Sequence, residues 1–320
     1  MSLPASTHPG QVVLQVADLA RSVAYYTGVI GFRILQQSEG KAVLGAAGPP
    51  RPLVELRERV GAHPAPPRGR LGLYHFAILV PDRPALGRFL AHLGSIGVRP
   101  GMSDHLVSEA LYLSDPDGLG IEVYADRSRD TWRHRDGQIA MAVDPLDADS
   151  VVRSGRGEPW TGMPAGTTIG HVHLYVGDLE AASAFYHAAL GLDRTSWNYP
   201  GALFLSAGGY HHHLGVNTWA AGAPRATERD ARLIEWELRL PAAADVAAAG
   251  ERLAASGSTV TPTSRGMTAS DPWGTTLRIL GQDQQDGQDG EPSAGLRRER
   301  ACLRRLRPGR RSRHPSANRD

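Results

Sequence analysis

Hydrophobic and polar positions along this chain change period in an order that repeats. Residues 11–16, Gln-Val-Val-Leu-Gln-Val, read as a strand. Asp18 then caps a helix in which Leu19, Val23, Tyr26 and Ile30 recur at helical spacing, ended by Gly31-Phe32. Three short strands are expected next, at 33–37, 41–46 and 52–57. The order then returns: a strand at 73–80, a helix at 84–96, a strand at 98–102 and a hairpin. The hairpin strands, 110–114 and 120–124, flank the tight turn Asp115-Pro116-Asp117-Gly118. Two β-α-β-β-β units thus occupy about 10–57 and 71–125.

Residues 127–168 are polar and broken by Gly and Pro. They read as a linker with a short helix near 147–152. After it the chain repeats itself. Gly170-His171-Val172-His173-Leu174 through Asp178-Leu179 aligns with Gly10-Gln11-Val12-Val13-Leu14 through Asp18-Leu19. Ala184-Phe185-Tyr186 aligns with Ala24-Tyr25-Tyr26, and Asp271-Pro272-Trp273-Gly274 with Asp115-Pro116-Asp117-Gly118. An offset sustained over a whole module is an internal duplication. It adds two units, about 170–218 and 232–281. The expected organisation is an N-terminal tail at 1–9, a first module at 10–126, the linker at 127–168, a second module at 169–281, and a tail from 282 to 320. That last segment is rich in Gln, Asp, Gly and Arg without core-forming periodicity, and reads as disordered.

Composition narrows the classes. A chain of 320 residues holds about two domains, and 41% hydrophobic with 21% charged residues suits a globular fold. No apolar run approaches the ~20 residues of a membrane span. Residues 1–10 lack the basic and apolar regions of a signal peptide, so a cytoplasmic location is expected. The single cysteine, Cys302, excludes an intramolecular disulfide and a Cys-built metal site. Any transition metal must use His and carboxylates, and there are 13 His. The net charge of +2 comes from residues 282–320, which carry ten Arg against six acidic residues, so no nucleic-acid partner is expected.

One stretch concentrates chemistry: His105, Tyr112 and Glu122 lie on or beside the hairpin. Glu122 sits mid-strand between Ile121 and Val123, opposite their face. A carboxylate buried there needs a partner, and a metal ion is one; a solvated strand face is the alternative. Each histidine taken singly reads equally as a core or solvated residue.

Together these residues carry a resemblance. The paired β-α-β-β-β units, with Asp-Leu, Phe-Tyr, Leu-Gly and Asp-Pro-x-Gly, resemble the vicinal oxygen chelate superfamily of glyoxalases, bleomycin-resistance proteins and extradiol dioxygenases. The resemblance implies an α+β fold of four β-α-β-β-β units forming cup-shaped mixed sheets. His105, Leu111, Tyr112, Asp115, Pro116, Gly118 and Glu122 match the extradiol dioxygenase signature, with Ser103 the one departure, at a structural position. The body from 10 to 281 is similar to catechol 2,3-dioxygenase-type proteins of Gram-positive bacteria, through Gly72-Leu73-Tyr74-His75-Phe76 and Gly208-Gly209-Tyr210-His211-His212-His213-Leu214-Gly215.

That resemblance implies two His and one carboxylate holding Fe(II), or Mn(II), which accepts the same set. Neither module supplies all three. The first offers His75 and Glu122 but Gln11 and Val13 where a His is wanted. The second offers His171 but has Arg278 where Glu122 stands in the repeat, and a guanidinium has no lone pair to donate. Joining units two and three completes the set as His75, Glu122 and His171, with His173 the weaker candidate. Units one and four, with Gln11, Glu55 and Arg278, are expected to form a degenerate cup. The family's active-site roles fall on His212 as base, His105 as proton donor and Tyr112 as hydrogen-bond donor to substrate. The implied activity is ring opening of a catechol by O₂, in aromatic hydrocarbon catabolism. The alternatives are a glyoxalase- or isomerase-like metal enzyme and a metal-free small-molecule binding protein. The identity of the catechol and the formation of a homo-oligomer are left open.

Overall fold

The computed structural model describes residues 2–282. The segment 283–320, where the disordered tail is expected, lies outside the described residues. Unit one contains β1 (His8–Val16), α1 (Leu19–Tyr25), β2 (Arg33–Ser38), β3 (Lys41–Gly45) and β4 (Val54–Glu58). Unit two contains β5 (Gly72–Leu79), α2 (Arg83–Ser95), β6 (Gly101–Asp104), β7 (Ser108–Ser114) and β8 (Gly120–Asp126). Between the modules run β9 (His134–Arg135), β10 (Gln138–Ile139) and α3 (Ala148–Ser154). Unit three contains β11 (Thr168–Tyr175), α4 (Leu179–Ser183), β12 (Asp193–Ser196), β13 (Ala202–Ser206) and β14 (Leu214–Asn217). Unit four contains β15 (Arg232–Leu240), α5 (Ala243–Ala255), β16 (Val260–Thr263), β17 (Gly266–Ser270) and β18 (Thr276–Gly281).

Four helices start on the same device, an aspartate whose carboxylate accepts a backbone N–H three residues on: Asp18 from Arg21, Asp82 from Ala85, Asp147 from Ser150 and Asp178 from Ala181. The first helix departs from its expected form. After Tyr25 the chain widens into a π-type turn over Tyr26–Ile30, and α4 does the same over Ala184–Ala189. These turns carry the tyrosines that hold the Asp-Pro-x-Gly hairpins. The Tyr26 hydroxyl donates to Asp115 Oδ2 at 3.3 Å, and Tyr186 to Asp271 Oδ2 at 2.9 Å. Oδ1 of each aspartate accepts two backbone N–H groups of its own turn. The recurring motif residues therefore lock unit one to unit two, and unit three to unit four, on the helical side.

The sheets are paired differently. One eight-stranded sheet has the order β16-β17-β18-β15-β1-β4-β3-β2, joining units four and one. The other has the order β12-β13-β14-β11-β5-β8-β7-β6, joining units three and two. In each unit the first strand runs parallel to the last, and the two halves of a sheet meet antiparallel, β1 on β15 and β5 on β11. The modules thus exchange halves. A single apolar core with residues from all four units, including Leu14, Tyr26, Phe76, Phe89, Tyr186 and Trp236, holds them together.

Two segments are more than the tail and linker read from the sequence. Leu3 is buried and its N–H bonds the Gly191 carbonyl at 2.8 Å. In the 127–168 segment Trp132, Ile139 and Met163 are buried. Gln138 Oε1 accepts from the N–H groups of Trp197 and Asn198, and Asp104 and Asp144 exchange two backbone bonds. Polar composition concealed these anchors because they use backbone groups and isolated apolar residues.

The loops 59–71 and 218–231 are tied to each other by backbone bonds, such as His63 N–H to Arg229 O at 2.7 Å and Leu71 N–H to Pro224 O at 2.9 Å. Gln15 of β1 donates to the carbonyls of Glu228 and Asp230. Arg70 grips the Asp230 carboxylate with two nitrogens, each at 3.1 Å, and Thr227 adds its N–H and hydroxyl. The Arg70 hydrogen bonds hold the Asp230 pKa down to about 2. A carboxylate depressed in the folded state stabilises above its unfolded pKa and loses that contribution as pH falls through its folded pKa. Asp230→Asn should therefore be less stable than the parent toward urea at pH 5, and the gap should narrow as pH falls from about 4 to about 2. A gap independent of pH over that range would contradict the assignment.

Candidate metal centre

The site lies on one face where β11, β5, β8 and β7 run side by side. Residues paired across neighbouring strands project to the same face. The register pairs His171 with Ala77, Ala77 with Glu122, and Glu122 with Tyr112. It also pairs His75 with His173, and His173 with Gly215. Ala77 is fully buried and ends at its methyl, so the longer Glu122 and His171 side chains can meet above it. His75, two residues earlier on β5, enters from the same face.

The result is a compact cluster. Glu122 Oε2 lies 3.0 Å from His75 Nε2 and 3.2 Å from His171 Nε2. One ligand atom from each residue lies within 4.8 Å of the others, and all three side chains are buried. Among the described residues this is the one group of His, Cys, Asp or Glu so arranged. Burial pushes the Glu122 carboxyl pKa up, but His171 and His75 outweigh it and hold the group well below the usual range. Burial lowers both imidazoles despite the carboxylate beside them. The set is an anionic carboxylate with two imidazoles disposed to be neutral, the protonation state that metal ligation requires. Both ring nitrogens of His75 and Nδ1 of His171 are buried without a hydrogen-bond partner. Imidazole nitrogens with unengaged lone pairs beside a buried anion fit a cation, and His75, Glu122 and His171 form a metal-binding triad.

His173 shares their face but is otherwise engaged. Its Nε2 accepts from Asn217 Nδ2 at 3.0 Å, and its ring packs on Tyr74 and His75. A Cβ at Gly215 would fall 2.9 Å from the His173 ring, so the glycine ending the triple-histidine run makes room for that imidazole. Gly170 has a similar reason: a Cβ there would collide with the Tyr124 hydroxyl, which lies beside His171.

The triad opens on a cavity of about 220 Å³ lined by Tyr74, His105, Tyr112, Phe204, His212 and Trp219, with Met141, Ala142 and Val143 from the inter-module segment. The His212 ring stands 4.1 Å from that of His171, and Tyr112 stands 5.6 Å from His75. His105 Nδ1 is 2.7 Å from the Ala142 carbonyl and its Nε2 is 2.6 Å from the Tyr112 hydroxyl. A carbonyl only accepts, so Nδ1 carries a proton and, in the neutral ring, Nε2 accepts from Tyr112. Burial, reinforced by Glu122, pushes the Tyr112 pKa well above its ordinary value, so the phenol stays protonated. Burial drives the His212 pKa well below its ordinary value.

Five of the six expected site residues, His75, His105, Tyr112, Glu122 and His212, line one cavity, and His171 packs against His75 and His212 beside it. Ser103, the departure from the signature, also lines it. Trp219 also lines the cavity, while Tyr210, which precedes the triple-histidine run, bonds Tyr124 and Asp126. Glu109 pairs with Arg83 and Arg127 away from it. The equivalent face of the other sheet is closed by ion pairs: Glu235 with Arg278 at 2.5 Å, Glu237 with Arg239 at 2.9 Å, and Glu55 with Arg57 at 2.7 Å.

The chain is 43% identical over 275 residues to a catechol-2,3-dioxygenase of Bacillus subtilis (strain 168), covering 85% of this chain and 96% of that protein. Among solved structures it resembles a Bacillus subtilis subsp. subtilis str. 168 protein assigned provisionally as a dioxygenase, with TM-score 0.60 and 15% identity over 88% of this chain and 86% of that one. Glyoxalase I from Zea mays follows with TM-score 0.50 and 18% identity over 86% of this chain and 92% of that one. At such identities the two structures show a shared fold alone. The family description "Glyoxalase/Bleomycin resistance protein/Dioxygenase superfamily" matches residues 8–123 and 168–279, the two halves that exchange strands here. By that match, and by its likeness to the Bacillus dioxygenase, the chain belongs to the glyoxalase/bleomycin resistance protein/dioxygenase superfamily.

Proposed function

We propose that the protein is an extradiol dioxygenase that opens a catechol ring beside its hydroxyls with O₂, using Fe(II) held by His75, Glu122 and His171. The observation that carries this reading is the buried two-histidine, one-carboxylate set facing a cavity that also holds His105, Tyr112 and His212. Two imidazoles and one carboxylate on one face suit Fe(II) oxygenase chemistry, and Mn(II) accepts the same donors. The bound metal would supply a Lewis-acidic centre with open positions where catecholate and O₂ are brought together.

The protein's own groups divide the proton work. His212 lies beside His171 and is held neutral, so it can accept a proton from a substrate hydroxyl. Tyr112 and His105 lie on the His75 side. When His105 Nε2 carries a proton it donates to the Tyr112 oxygen, and the Tyr112 hydroxyl is then free to donate a hydrogen bond to a substrate oxygen. His105, anchored by the Ala142 carbonyl, exchanges protons with Tyr112 and returns one as the ring opens to a semialdehyde.

The cavity walls restrict the substrate. Tyr74, Met141, Val143, Phe204 and Trp219 form an apolar, aromatic surface, and no Arg or Lys among the described residues lines it. A carboxylate buried without a partner costs several kcal/mol. Uncharged one-ring catechols should therefore exceed ring-carboxylated ones in kcat/KM by on the order of 100-fold. Equal turnover of the two classes would overturn the substrate assignment.

The activity itself is tested by loading Fe(II) anaerobically, then adding catechol and air. Oxygen uptake with a yellow ring-opened product is expected; neither appearing across several catechols would defeat the proposal. Glu122→Ala should lose stoichiometric metal, measured by elemental analysis. His212→Asn should keep the metal and lower kcat by about 10² to 10⁴-fold, the usual scale for a proton-transfer residue. If His212→Asn strips the metal, His212 is a ligand and the roles are misassigned.

A further inference from the structure

Behind His212, away from the cavity, runs a chain of hydrogen bonds that the reaction described above does not use. β8 places Glu122, Tyr124 and Asp126 on one face of the strand, by their two-residue spacing. Glu122 belongs to the triad. Asp126, at the partly exposed end of the strand, turns to the triple-histidine run of unit three. Its Oδ1 is 2.9 Å from His211 Nε2. His211 Nδ1 is in turn 2.8 Å from His212 Nδ1. The Tyr210 hydroxyl lies 3.2 Å and 3.0 Å from the two Asp126 oxygens and 2.7 Å from the Tyr124 hydroxyl.

Elementary hydrogen-bond rules give this chain a direction. An ionised carboxylate only accepts, so His211 Nε2 and the Tyr210 hydroxyl donate to Asp126. With that proton on Nε2, the singly protonated His211 ring has a bare Nδ1. Two ring nitrogens 2.8 Å apart need one proton between them, and it must then sit on His212 Nδ1. The second ring nitrogen of His212, Nε2, is left with its lone pair. No protein group among the described residues bonds it, and His212 lines the cavity. Tyr210 has committed its proton to Asp126, so Tyr124 donates to Tyr210, and the network closes without conflict. His211 is fully buried and packed on Trp132, Tyr210 and Tyr124, so its ring is not free to turn away.

We propose that Asp126 and His211 are positioning residues that fix His212 in the Nδ1–H tautomer and so present an unprotonated Nε2 to the substrate cavity. The importance of that tautomer for turnover rests on the dioxygenase reading; the tautomer itself does not. A base that offers N–H where a lone pair is needed loses most of its catalytic power, even with its geometry intact.

The direct test is the tautomer of His212 in the metal-free, full-length protein, read from long-range ¹H–¹⁵N correlations of ¹⁵N-histidine-labelled protein near pH 7.5. The signals are assigned by their loss in His212→Gln. Nδ1 should be protonated and Nε2 bare. Finding the proton on Nε2 overturns the proposal, and this measurement needs no variant in the relay. In Asp126→Ala the His212 signals should shift to a mixture of both tautomers. Asp126→Asn, which keeps an acceptor oxygen, should restore the parent pattern. An unchanged pattern in Asp126→Ala would also contradict the assignment. If the protein turns over catechols, Asp126→Ala should lower kcat by about 10- to 100-fold with metal content unchanged, and Asp126→Asn should recover most of it. If no catechol is turned over, the dioxygenase reading fails while the tautomer result still decides this one.

Discussion

A carboxylate at the centre of a sheet, removed from water and flanked by two imidazoles, is a costly arrangement that the fold must justify. Glu122 has 2% of its surface exposed, and its nearest polar neighbours are His75 and His171. Imidazoles whose own burial disfavours protonation give an anion only partial compensation. A bound cation would resolve the imbalance, pairing the charge and using lone pairs on His75 and His171. Other features of the site follow from keeping this place dry and correctly spaced. They include the short Ala77 between longer side chains, the glycines at 170 and 215 that admit neighbouring rings, and the inter-module segment over the cavity.

The duplication supplies the parts, and the exchange of halves assembles them. Hydrogen bonds from Tyr26 to Asp115 and from Tyr186 to Asp271 hold consecutive units together through their helices and turns. The antiparallel meetings of β5 with β11 and β1 with β15 instead sort units two and three into one sheet, and one and four into the other. One cup acquires three ligands. The other acquires Arg278, Arg239 and Arg57, each seated on a glutamate, so charges on that face are neutralised by side chains. The same architecture meets the same electrostatic demand in two ways.

The sequence discloses these features unevenly. Strand alternation, helix caps and the repeated Asp-Pro-x-Gly turns made the four units visible, because each depends on nearby residues. The partnership of units two and three was legible only through chemistry: His75 and Glu122 lacked a third ligand, and Arg278 denied the second module a site of its own. The π-type turns were not legible, since their apolar spacing is close to that of an α-helix. Nor was the contribution of residues 141–143. Ala142 acts through its carbonyl, which every residue type possesses, so no side chain announces it. The tie of Asp126 to His211 spans 85 positions and depends on how two units meet, which a local pattern cannot encode.

The account stands on one ion sharing ligands from both modules. Its most direct test is a crystal structure of the protein loaded with Fe(II) or Mn(II), with the ion located by anomalous scattering. A single ion about 2.0 to 2.2 Å from imidazole nitrogens of His75 and His171 and from a Glu122 oxygen is predicted. An ion held instead by His211, His212 and His213, or by the glutamates of the other sheet, would contradict the account, as would a fully loaded protein with the triad empty.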